Sequence, residues 1–210
     1  MGLEDEIIRQ NPQWRGENLV RNMVERESEP EIRAELDENI ITAVTGMRRV
    51  GKTTLVQKII DDLEEKDERT FYYSFDLEKV EVKQLLDTFF QEIENESPED
   101  AGKTYIFLDE VQKIEDWSDQ TKAYHDSYEN LKFIVTGSSS ANIRRGSGES
   151  LVGRISLHRL TPFTFRKFLK HRDIEVPKKN FKKLPIPEST NQIKPKFSEY
   201  LETGGFPGLI

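Results

Sequence analysis

Between Gly46 and Thr54 the chain reads Gly46-Met47-Arg48-Arg49-Val50-Gly51-Lys52-Thr53-Thr54, two glycines followed by a lysine and two hydroxyls. Residues of these types at this spacing hold phosphate. Gly46 and Gly51 let the backbone wrap tightly, so that the N–H groups of Arg48, Arg49, Val50, Gly51 and Thr54 can converge on an anion. Lys52 would reach the β- and γ-phosphates of a nucleoside triphosphate, and the Thr53 hydroxyl would ligate Mg²⁺. The apolar run Ile40 to Val44 before the loop predicts a strand, and Thr54 to Ile60 after it a helix. That helix adds its positive end to the same site. An ordinary glycine turn accounts less well for a loop flanked in this way.

Downstream, Tyr105-Ile106-Phe107-Leu108-Asp109-Glu110 is an apolar strand ending in two carboxylates. Asp109 would complete the Mg²⁺ shell opposite Thr53. Glu110 is placed to orient or deprotonate an attacking water. Alone, an acidic strand end is a weak signal; with a phosphate loop upstream it points to hydrolysis. Leu131 to Thr136 predicts another strand, after which Thr136 and Ser138 could hydrogen-bond the γ-phosphate or the water. Ser139 and Ser140 serve equally well as a helix cap. Transition-state charge calls for an arginine. Among Arg144, Arg145, Arg154 and Arg159, Arg154 in Leu151-Val152-Gly153-Arg154 is the first choice, with an ordinary surface arginine as the alternative. Asp76 is read as a helix cap. His125, His158 and His171 have no metal-ligand spacing.

Positioning these groups requires a framework. Residues 1–38 predict a charged helical arm anchored by Trp14, residues 39–171 a nucleotide-binding core, and residues 172–210 a linker and the start of a further region. Within the core, Arg69 to Phe75 predicts a strand. Val82, Leu85, Leu86, Phe89, Phe90 and Ile93 recur at helical spacing, and a helix is expected from Trp117 to Tyr128. Thr161-Pro162 looks like a helix start, and residues 173–197 like a connecting segment. Short strands alternating with helices imply crossover units and a mainly parallel sheet, with ligands at the carboxyl ends of its strands.

Composition narrows the class. The 210 residues carry 39 acidic against 31 basic side chains, which disfavours global attraction to nucleic acid. No cysteine is present, so disulfides and thiolate chemistry are excluded. The acidic N-terminus is not a signal peptide and no run reaches membrane-span length, so a cytoplasmic protein is expected. The apolar, turn-rich ending at Ile210 suggests a fragment of a longer protein.

Four segments together resemble the prokaryotic AAA-type ATPases of the archaeal ATPase group. They are Thr45 to Thr54, Phe107 to Gln112, Val135 to Ser140 and Leu151 to Arg154. Asn11-Pro12-Gln13-Trp14 and Tyr200 to Pro207 extend the likeness over nearly the whole chain. The resemblance implies a three-layer P-loop NTPase sandwich, α/β and AAA-like, with the Thr136 strand between the phosphate-loop strand and the Asp109 strand. It implies ATP and Mg²⁺ as ligands, Lys52, Thr53, Asp109 and Glu110 as catalytic residues, and Ser138 with its neighbours as a sensor. In that group Gly204-Gly205-Phe206-Pro207 leads into a C-terminal domain.

The functional expectation is Mg²⁺-dependent ATP hydrolysis, a slow switch driving an appended domain or protein partner, with a homo-oligomer if Arg154 acts in trans. A nucleotide-dependent interaction module with negligible turnover is the alternative. A nucleic-acid-associated ATPase rests on the basic and aromatic stretch Phe165 to Lys183, which a solvated linker explains as well. No Asn-Lys-x-Asp guanine-reading motif occurs, which argues against a GTPase.

Overall fold

Apolar and β-branched runs too dense for one wet face require a sheet covered on both sides. The computed structural model, which describes residues 2–20, 23, 25–138, 143, 151–174 and 189–209, forms one from five strands. These are β1 Ile41–Gly46, β2 Arg69–Ser74, β3 Thr104–Asp109, β4 Leu131–Gly137 and β5 Ile155–Leu160. All pair in parallel, in the order β2-β3-β4-β1-β5. β4 thus lies between β1 and β3, as the resemblance implied. Strand β5 is an addition to the expected set. Its Ser156, His158 and Arg159 interrupt the apolar pattern, and an edge strand with one neighbour tolerates that.

Register places alternate residues in common layers: Ala43 lies beside Val135, Phe133 beside Ile106 and Ile106 beside Phe71. Ile41, Ala43, Phe71, Tyr73, Ile106, Leu108, Phe133 and Val135 form one core cluster with Val82, Leu85, Leu86, Phe89, Trp117 and Tyr124. The last six come from helices α4 (Val82–Asp87), its π-helical continuation Thr88–Ile93, and α5 (Trp117–Ser127). The three-and-four spacing from Val82 onward is therefore a core stripe. Two helices, α1 (Leu3–Gln10) and α2 (Glu29–Ala34), precede β1; on α3 (Lys52–Glu64), Leu55, Val56, Ile59 and Ile60 are buried, and α3 packs on β1, β2 and β4.

The N-terminal arm covers the free edge of β2. After the first helix, Leu3–Gln10, the Asn11 amide pairs both ways with the Tyr72 backbone: Tyr72 N–H donates to Oδ1 at 2.7 Å and Nδ2 donates to Tyr72 C=O at 2.8 Å. Gln10 Oε1 accepts from Ser74 N–H, and Trp14 Nε1 donates to Thr70 C=O. Side chains thus satisfy groups that an edge strand would otherwise leave open to another chain. Trp14 also stacks on Phe89 at 5.8 Å, the anchoring its aromatic ring suggested.

The chain divides into two compact units, Met1–Met47 with Lys52–Leu160, and Arg48–Gly51 with Thr161–Ile210. In the second, the expected helix start at Thr161-Pro162 moves to Thr164, whose hydroxyl caps the helix Phe165–His171. The reason lies at Phe163. Its N–H donates to Gly205 C=O at 2.8 Å, and its C=O accepts from Tyr200 Oη at 2.9 Å, which holds this stretch extended. A helix Ser189–Thr203 occupies part of the segment expected to connect. Its Phe197 and Tyr200 pack against Phe165. Pro207 lies within van der Waals distance of where a Cβ on Gly51 would stand.

Candidate functional site

The carboxyl ends of β1, β3 and β4 supply three sets of polar groups. Beyond β1 the chain turns through Arg49 and Gly51, both left-handed at φ 65° and 96°, and enters α3 at Lys52. A non-glycine residue held left-handed is uncommon and marks a constrained loop. Lys52 is only 4% exposed, and its ammonium donates to Gly46 C=O at 3.3 Å and pairs with Glu110 Oε1 at 3.2 Å. A lysine this buried is unfavourable unless an anion balances it. Glu110 does so here.

At the end of β3, Asp109 is 2% exposed. It accepts from Thr53 Oγ1 at 2.8 Å and Tyr72 Oη at 3.1 Å on one oxygen, and from Thr136 Oγ1 on the other. Burial drives its pKa above the usual carboxylate range, against the lowering effect of those hydroxyls. The Tyr72 phenol is pushed upward too, by burial and by the neighbouring carboxylate. A desolvated carboxylate beside a threonine hydroxyl matches the hard, oxygen-seeking chemistry of Mg²⁺. Thr53 and Asp109 are the residues that would hold the ion.

Glu110 departs from the strand in a left-handed conformation, φ 59° and ψ 42°. Its N–H donates to Thr136 Oγ1 at 3.1 Å, so one hydroxyl bonds both Asp109, the last residue of β3, and Glu110, the residue after it. Thr136 therefore bonds the Asp109 carboxylate and the backbone of Glu110. The Glu110 carboxylate meets Lys52 on one oxygen and the Gln112 amide on the other, and the same amide reaches Ser138 Oγ at 3.3 Å.

The structure brings Lys52, Thr53, Asp109, Glu110, Thr136 and Ser138 into one connected network. Tyr72 and Gln112 join it without having been singled out. Tyr72 had read as an aromatic strand residue, and only strand order places its hydroxyl beside Asp109.

Arg154 stands apart. Its C=O accepts from Ile41 N–H at the amino end of β1, and its side chain pairs with Asp126 at 2.7 Å. The phosphate loop leaves β1 at the opposite end, about 17 Å away at about 3.3 Å per residue. Arg154 is thus not placed to reach a phosphate held by Lys52 of its own chain. Arg159 is exposed on β5. Ser139, Ser140, Arg144 and Arg145 lie outside the described residues, as do Lys178 to Lys183. Asp76 pairs with Lys113, while Glu81 precedes α4 at its cap position.

Residues 38–169, well over half the chain, match the family described as AAA domain. The chain belongs to this family. The AAA domain is a P-loop, nucleotide-binding α/β unit, and the all-parallel sheet agrees with it.

An uncharacterised protein of Haemophilus influenzae is 28% identical over 178 residues, covering 83% of this chain and 41% of that protein. One of Methanocaldococcus jannaschii is 28% identical over 179 residues, covering 85% and 38%. The chain thus spans about two fifths of the length of these relatives. Among solved structures, the S. cerevisiae Hsp104-ADP complex aligns with a TM-score of 0.53 at 16% identity, covering 82% of this chain and 26% of that one. AMPPCP-bound DnaA from Aquifex aeolicus aligns at 0.51 and 20% identity, covering 95% and 68%. At these identities the AAA domain shares their fold. No helix among the described residues is long and apolar enough to cross a membrane.

Proposed function

We propose that this AAA domain binds ATP with Mg²⁺ and hydrolyses it, as a slow switch whose cycle moves an appended region or a partner protein. The observation that carries the reading is the contact of Lys52 with Glu110 at 3.2 Å beside the Thr53–Asp109 pair at 2.8 Å. It unites a phosphate-binding cation, a metal-binding pair and a base candidate in one network. The backbone of Arg48 to Thr54 would cradle the phosphates, and the Lys52 ammonium would balance their charge. Bound Mg²⁺ would supply further positive charge against the phosphate oxygens. Glu110 would accept a proton from water as the water oxygen bonds to the γ-phosphorus, while the bond to the β,γ-bridging oxygen breaks and ADP leaves with that electron pair. The ADP and AMPPCP of the structurally similar Hsp104 and DnaA support an adenine nucleotide.

A nucleotide-gated binding module without turnover has no need of a carboxylate at Glu110. The discriminating experiment is steady-state phosphate release from Mg²⁺-ATP by the wild type and by Glu110→Gln. Loss of at least about a hundredfold in the variant, with ATP affinity retained, is the expected result. If both proteins bind ATP and neither releases phosphate, the switch is one of binding alone.

A further inference from the structure

Gln112 lies two residues beyond the Glu110 base candidate, in a 3₁₀ turn, Val111–Lys113, closed by Lys113 N–H on Glu110 C=O at 3.1 Å. Its side-chain amide has two N–H groups, and both are spent on the site: one on Glu110 Oε2, the other on Ser138 Oγ at 3.3 Å. The carbonyl end, Oε1, is buried and has no hydrogen-bond partner among the described residues. An unsatisfied buried acceptor is costly. Turning the amide over would set that oxygen against the Glu110 carboxylate instead. The orientation is therefore dictated by Glu110.

The end of β4 leaves room for this arrangement because Gly137 carries no side chain. A Cβ added to Gly137 would stand 2.8 Å from Gln112 Oε1 and 2.5 Å from Ile143 Cδ1. A side chain at position 137 would displace the glutamine or Ile143. The absence of one lets the amide lie across the strand end and reach both partners.

The two contacts on the Glu110 carboxylate differ in what happens to them when a nucleotide binds. Oε1 is held by Lys52, the cation that phosphates would claim. Oε2 is held by Gln112, which has no such competitor. We propose that Gln112 is the positioning residue that keeps the Glu110 carboxylate aimed at the phosphates once Lys52 turns to the nucleotide, and that it ties this carboxylate to the end of β4 through Ser138. This inference rests on the hydrolytic reading for its catalytic consequence, but the hydrogen bond itself can be tested without turnover.

The test uses Gln112→Met, which keeps the length and removes both N–H donors. Phosphate release should fall at least about tenfold in kcat, since a displaced catalytic group costs rate steeply, with KM and ATP affinity within about threefold of wild type. A glutamine of merely structural value would lower the melting temperature without that split. In parallel, the Gln112 side-chain amide signals in ¹⁵N–¹H spectra, identified by their loss in Gln112→Met, are followed in wild type and Glu110→Gln, each saturated with AMPPCP and Mg²⁺. A distinct shift between the two proteins shows that the amide still holds the carboxylate when nucleotide is bound. Identical amide signals in the two overturn the proposal, and so does wild-type kcat in Gln112→Met. If the wild type releases no phosphate, the hydrolytic reading falls, and the amide spectra alone decide whether Gln112 holds Glu110.

Discussion

Replacing Thr136 with valine keeps the shape of the side chain and removes one hydroxyl from the centre of the site. Thr136 is 1% exposed, so no bulk water replaces what is lost. Two bonds disappear: the one donated to Asp109 and the one accepted from Glu110 N–H. A hydrogen bond to a charged group contributes about 1.5–3 kcal/mol, and a buried donor left unpaired costs about 1–3 kcal/mol. Against this, the added methyl gains about 0.8 kcal/mol of burial. The net expectation is a loss of about 2–5 kcal/mol. Thr136→Ser keeps the hydroxyl and loses only a methyl, about 1 kcal/mol. On hydrophobicity alone the order would be reversed, with valine the better core residue. Both tryptophans, Trp14 and Trp117, belong to the first unit, so their fluorescence during urea unfolding reads that unit by itself. Valine equal to or more stable than serine would refute the reasoning. It would mean that the network around Asp109 adds nothing to the fold.

Lys132, 5% exposed, donates to Glu38 C=O and Ile40 C=O and to Thr42 Oγ1, clamping the start of β1, and burial lowers its pKa to about 8. Because the unfolded lysine titrates near 10.5, the cost of burying charge is full below pH 8 and is relieved as pH rises toward 10.5. From pH 7 to 9.5 the wild type should therefore gain about 2 kcal/mol over Lys132→Met in denaturant unfolding, and a constant difference would contradict it. Gly205 sits at φ 69°, and a Cβ there would lie 2.4 Å from Phe163 C=O. Gly205→Ala should cost at least about 1–2 kcal/mol from backbone strain alone, read as faster proteolysis between Tyr200 and Leu209. Arg154→Ala removes an exposed ion pair and should cost less than about 1 kcal/mol. If it nonetheless abolishes phosphate release, mixing it with a Lys52→Ala chain should restore activity, since the arginine could then act only on another chain's site.

What could be read from the sequence was local. The spacing from Gly46 to Thr53 and the strand ending at Asp109-Glu110 each occupy one short stretch, so residue type and neighbours identified them. Strand order is not local. The Tyr72 hydroxyl reaches Asp109 because β2 and β3 are adjacent, and no periodicity in either strand reveals that. Gln112 fell within a motif already noticed, yet its role depends on Ser138 lying beside it at the end of a different strand. Arg154 misled for the same reason. Its place in Leu151-Val152-Gly153-Arg154 suggested the arginine that transition-state charge calls for, but the next residue begins β5, and parallel pairing with β1 fixes it at the far end of the sheet. The helix start at Thr161-Pro162 had the right residues for a cap, and a hydrogen bond from Phe163 to Gly205 overrode them.

The position of β4 has a consequence for how the protein is made. β1 and β3 do not pair with each other; both pair with β4, which follows both in the chain. A ribosome releasing this polypeptide would expose the Lys52 loop, and later Asp109, well before the strand that joins them emerges. Until residues 131–138 slot into the gap, Asp109 and Glu110 lack the Thr136 hydroxyl and Lys52 lacks a fixed counter-charge. The site is thus assembled by the last of its contributing segments to be synthesised, and closing loops of that length is slow. Nucleotide present during synthesis would bind only chains that have completed this insertion, and by mass action would favour those over partly assembled ones.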